Sequence, residues 1–165
     1  MELIARPAAL ARFAGGPALY LEVTESGDEL EFEPKLLFGV HRGSWVAASN
    51  LIADFDLRHN DEERLDHGEV LRNEFAAELT AGLARRLGAG AALGLEARGR
   101  SEHPNFGPQA AAVAFLGPVA SLTIGEGQLT VAVLPQLWGD PQTSGSRNLV
   151  DFSATEARAV LSFEF

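Results

Sequence analysis

Along most of this chain, apolar and polar residues alternate one by one. Side chains of a β-strand point to opposite faces in turn, so the alternation predicts strands with one apolar and one polar face. Leu19, Leu21 and Val23 alternate with Tyr20, Glu22 and Thr24. Leu30, Phe32, Leu36, Phe38 and Val40 share a face opposite Glu29, Glu31, Glu33 and Lys35. Trp45, Ala47, Leu51, Ala53, Phe55 and Leu57 stand opposite Asn50, Asp54, Asp56 and Arg58. Between 70 and 87 the apolar set is Leu71, Phe75, Ala77, Leu79, Ala81, Leu83 and Leu87, opposite Arg72, Glu74, Glu78, Thr80 and Arg86. Leu93, Leu95 and Ala97 face away from Glu96 and Arg98, and Leu129, Val131, Val133 and Leu137 from Gln128, Thr130 and Gln136. The stretch 109–124 is the least regular and is expected to carry a bulge at Gly117-Pro118. In the last ten residues Ala157, Ala159, Leu161, Phe163 and Phe165 oppose Glu156, Arg158, Ser162 and Glu164.

Connections alternate in length as well. Arg42-Gly43, Gly88-Ala89-Gly90 and Gly125-Glu126-Gly127 are tight, whereas 59–68, 101–108 and 139–147 are longer and polar. The two patterns together predict an all-β, antiparallel up-and-down meander of eight or nine strands in one domain over 1–165. Residues 17–165 form the meander, and 1–16 are an N-terminal segment or an extra strand. Two places compete with this reading. Leu71, Phe75, Leu79 and Leu83 recur every fourth residue, which also suits an amphipathic helix. Pro34 and Pro135 fall within proposed strands, where each removes a ladder hydrogen bond.

Composition narrows the function classes. The formal net charge of −10 offers no basic patch for phosphates, so no nucleic-acid partner is expected. With no cysteine, disulfide scaffolds, thiolate metal sites and cysteine nucleophiles are excluded. His59 and His67 flank Asp61, Glu62, Glu63 and Asp66, but the spacing fits no defined metal site, and a solvated loop is the simpler reading. His41 and His103 are expected in turns without a carboxylate partner. No Gly-x-Ser-x-Gly elbow is present, and Gly88 to Gly94 lacks the strand-before, helix-after context of a dinucleotide loop. No enzyme activity, cofactor or metal is therefore expected.

The terminal Leu161-x-Phe163-x-Phe165, the runs 30–37 and 94–98, Gly117-Pro118 and 134–138 together resemble the Gram-negative outer-membrane β-barrel class. The likeness spans about residues 17 to 165. It implies a transmembrane barrel with short periplasmic turns, longer external loops and an even strand count. Leu161, Phe163 and Phe165 would then be an assembly signal read by the barrel-assembly machinery, with the outer-membrane bilayer as the other partner. Trp45, Trp138, Phe106 and Tyr20 would join aromatic girdles. Residues 1–7 offer no basic start, apolar run or small-residue cleavage site, which suits either a cytoplasmic protein or a chain without its leader. The reading expects a leader or N-terminal part to be missing, and a ninth strand in 3–13 would indicate a piece of a larger barrel. The polar faces would enclose a network of Glu31, Glu33, Lys35, Asp54, Asp56, Arg58, Arg72, Glu74, Glu78, Glu96, Arg98 and Arg158. Such charges must pair, because an unpaired buried charge is costly. Two other classes share the pattern: a soluble lipocalin-like barrel for a small apolar ligand, and an α+β enzyme with a helix at 70–87.

Overall fold

The alternation becomes a single large sheet. The computed structural model describes residues 2–5, 17–26, 29–58, 63–64, 70–71, 73–88 and 90–163. Its strands are β1 (Glu2–Ala5), β2 (Ala18–Ser26), β3 (Glu29–Arg42), β4 (Trp45–Arg58), β5 (Glu63–Arg64), β6 (Val70–Leu71), β7 (Asn73–Arg86), β8 (Ala91–Pro104), β9 (Ala111–Ile124), β10 (Gly127–Asp140) and β11 (Thr155–Phe163). Strands β5 and β6 make a small hairpin of their own inside the β4–β7 connection. The other nine pair in chain order, β1-β2-β3-β4-β7-β8-β9-β10-β11, every neighbour antiparallel. Eight of them, β2 to β4 and β7 to β11, form the long up-and-down meander of a curled, open half-barrel. No helix occurs among the described residues.

The segment that competed as a helix is strand β7. Its pairing decides the matter physically: Phe75, Leu79 and Leu83 lie opposite Phe55, Leu51 and Ala47 of β4 and opposite His103, Gly99 and Leu95 of β8. The strand is central in the sheet, and its backbone ladders run to β4 on one side and to β8 on the other. The tight turns hold Gly43, Gly88 and Gly125, all at positive φ (60°, 80° and 61°) that glycine adopts without strain. They lie at one end of the sheet. The connections after β4, β8 and β10 lie at the other.

Some boundaries differ from the sequence expectation. Strand β8 runs on to Pro104, so the polar stretch beginning at Ser101 is strand first and loop only from Asn105. The loop after β10 starts at Pro141 and extends to Ala154. The bulge is not at Gly117-Pro118. Register is the same on both sides of that dipeptide, and the one-residue shift lies between Gln136 and Trp138 of the partner strand. The extra residue leaves Leu137 and Trp138 both exposed on consecutive positions. Pro34 leaves a gap in the β3–β4 ladder without any shift: Phe32 opposes Phe55 and Lys35 opposes Ile52 in one register. Gly117 is buried, and a Cβ there would collide with the Val133 carbonyl, so β9 and β10 approach too closely for any side chain.

Candidate functional site: the charged concave face

Curvature gives the two faces different fates. On the convex side Leu51, Leu79, Leu83, Leu95, Leu122, Val131 and Val133 are exposed. On the concave side Thr80, Glu96 and Gln136 are buried, next to an apolar cluster of Val113, Phe115, Ala132 and Leu134 with Val119 and Phe152 packed on it. The polar residue of each pair thus faces the hollow, and the leucines face out.

The concave charges pair across strands. On β8, Arg98 donates from Nη2 to Glu78 of β7 at 2.6 Å and from Nη1 to Glu156 of β11. Arg158 of β11 donates to both carboxylate oxygens of Glu96 on β8, at 2.7 and 2.8 Å. Strands β8 and β11 are three spacings apart, about 14 Å on a flat sheet, so pairs between them require the curl. Arg100 reaches Glu102 at 3.1 Å, Asp54 at 3.8 Å and Glu78 at 3.9 Å. Lys35 pairs with Glu33 and with Glu22 at 3.2 Å, and its ammonium stands 4.7 Å from the centre of the Tyr20 ring. Tyr20 therefore belongs to this face and not to an aromatic girdle.

Strand register explains the grouping. Glu31, Asp56 and Glu74 are direct cross-strand neighbours on β3, β4 and β7. Glu31, Asp54 and Asp56 bring carboxylate oxygens within 4.8 Å of one another. Like charges in one row repel. The row of Lys35, Ile52, Glu78 and Arg100, four residues along the strands, supplies cations against it. Glu31, Asp56 and Arg58 each have a further interaction. Among the expected network, Arg72 lies outside the described residues; Glu31, Glu33, Lys35, Asp54, Asp56, Arg58, Glu74, Glu78, Glu96, Arg98 and Arg158 all lie on the polar side of their strands. Glu22, Arg100, Glu102 and Glu156 join the ion pairs without having been singled out. For Arg100 and Glu102 the signal existed, since Glu96, Arg98, Arg100 and Glu102 continue the alternate spacing. It faded because the outward positions there are Gly99, Ser101 and His103 instead of leucines.

Among the described residues, His41 and His103 lie in strands and not in turns. His41 is next to last in β3, beside Arg86, and His103 lies near the end of β8 with its ring 5.5 Å from that of Phe75. His59, His67 and the acidic residues between them lie outside the described residues, except for the backbone of Glu63. On β11, Leu161 and Phe163 are exposed, the Phe163 ring covers Gly127, and Phe165 lies outside the described residues. Comparison of the chain with protein-family models, curated proteins and solved structures finds no match.

Proposed function

We propose that this chain is an outer-membrane β-barrel protein with a structural or small-pore role, non-catalytic, and lined by a salt-bridged interior. The observation that carries the reading is the division of the sheet into an ion-paired concave face and an exposed apolar convex face. The outward leucines, valines and phenylalanines expose on the order of 1,000 Å² of apolar surface, well above the few hundred that a soluble monomer usually shows in one patch. A bilayer solvates such a face, and the concave charges are kept from lipid.

The aromatic residues support the same reading. Phe32, Phe55, Phe75 and His103 form one cross-strand row near the loop end, with Phe55–Phe75 ring centres 5.0 Å apart and Phe106 also against Phe55. Trp45 marks the turn end of the same strand as Phe55. Ten residues along a strand rise about 33 Å, or about 25 Å at a tilt near 40°, which is the height of the apolar band of such barrels. Leu161, Phe163 and Phe165 are proposed as the assembly signal. Lipid satisfies no backbone group, so the reading requires the outer edges of β1 and β11 to be paired in the membrane.

The soluble lipocalin-like alternative draws on the apolar cluster inside the hollow, but Phe152 of the chain itself covers that cluster. The test is partition. Exported behind a secretory leader, the protein is expected in the outer-membrane fraction, resistant to alkaline extraction and released by detergent. A monomer that stays in solution without detergent refutes the proposal.

A further inference from the structure

The β10–β11 loop, residues 141–154, is mostly exposed but is pinned to the sheet at Asn148 and Phe152. Loops run over the surface because water satisfies their backbone. Here the loop folds back onto the concave side of β10. Asn148 is fully buried, donating from Nδ2 to Asp140 O at 3.3 Å and Asp151 Oδ2 at 2.6 Å, and accepting at Oδ1 from the N–H groups of Val150 and Asp151. Gln136, 3% exposed, donates from Nε2 to Asn148 O at 2.9 Å and Ser153 O at 3.4 Å. Gly139 N–H donates to Ser146 O at 2.9 Å, and a Cβ on Gly139 would lie 2.5 Å from Asn148 N, so the strand is bare where the loop lands. Phe152 closes the contact on the Val113–Phe115–Ala132–Leu134 cluster. Just beyond it, Ser153 walls a cavity of about 420 Å³ with Arg98, Leu134, Thr155, Glu156 and Arg158.

We propose that this loop is a stopper. Docked, it shuts the loop-side access to the Arg98–Glu156–Arg158 cavity and limits passage of small hydrophilic solutes along the concave face. Two side chains, Gln136 and Asn148, and one aromatic ring hold it. Losing any of them shifts the loop towards an undocked state without touching the ion pairs beneath. The inference rests on the pore reading above.

The chain has no cysteine, so one introduced thiol reports alone. With Leu134→Cys as reporter in the full chain, reaction with a membrane-impermeant methanethiosulfonate is followed alongside unit conductance in planar lipid bilayers. Asn148→Ala and, as an independent perturbation at the apolar contact, Phe152→Ser are each compared with the parent. Both are expected to label at least about tenfold faster, since one loses several hydrogen bonds and the other a packed ring, and to conduct more. Insertion with unchanged conductance overturns the stopper, whatever the labelling rate. Failure of every form, parent included, to insert overturns the membrane reading and the stopper with it.

Discussion

Replacing Arg98 by methionine should destabilise the fold by about 2–4 kcal/mol, because it strands two carboxylates in the hollow. Arg98 spans Glu78 on β7 and Glu156 on β11, and the three side chains are 23%, 12% and 30% exposed. Breaking a fully buried pair costs about 3–5 kcal/mol, whereas exposed pairs are worth about 0–1 kcal/mol. Glu78 is close to the first limit and Glu156 lies between the two. Arg100 remains 3.9 Å from Glu78 and offsets part of the loss, which brings the expectation below the fully buried value. Methionine keeps most of the side-chain volume, so the effect reports charge and not a cavity. The measurement is equilibrium unfolding in detergent micelles, followed by fluorescence of Trp45 and Trp138. Arg98→Lys should fall between, since one ammonium cannot span both partners. Adding Glu156→Gln to Arg98→Met should recover part of the loss, giving a coupling of about 1–2 kcal/mol. If Arg98→Met unfolds within about 0.5 kcal/mol of the parent, the concave face lies in open water and the reasoning fails.

Three further outcomes are expected. Leu79→Arg, midway along β7 on the convex face, should cost about 2–4 kcal/mol of stability in lipid, read as a shift in the unfolding midpoint; a change within experimental error would place that face in water. At Gly94 a Cβ would overlap the Leu83 carbonyl and Ala84 Cα, so Gly94→Ala should lose about 1–3 kcal/mol, while Gly39→Ala, where space is open, should lose less than half of that in the same unfolding assay. Removing Phe165 from a leader-bearing chain should lower the amount assembled in the outer membrane, measured by fractionation, while leaving unfolding of the refolded protein nearly unchanged; equal assembly would count against an assembly signal there.

What the amino-acid order determined by itself is the two-faced strand and its turns. Alternation is a local property, and glycine at positive φ is a local requirement, so the strands and tight turns at Gly43, Gly88 and Gly125 were legible residue by residue. Leu71, Phe75, Leu79 and Leu83 were not decisive alone, because a four-residue repeat on one strand face coincides with one turn of helix; the ladders to β4 and β8 settled 73–86 as strand. The bulge was misplaced for a similar reason. Gly117-Pro118 announces irregular backbone, but the extra residue lies one strand over, at Leu137. Ion pairs such as Arg98–Glu156 and Arg158–Glu96 join residues some sixty positions apart, and only the curl of the sheet brings them together. The docked β10–β11 loop is likewise tertiary. Asn148, Ser153 and Phe152 read as ordinary loop residues until the bare backbone at Gly139 and the amide of Gln136 give them somewhere to land.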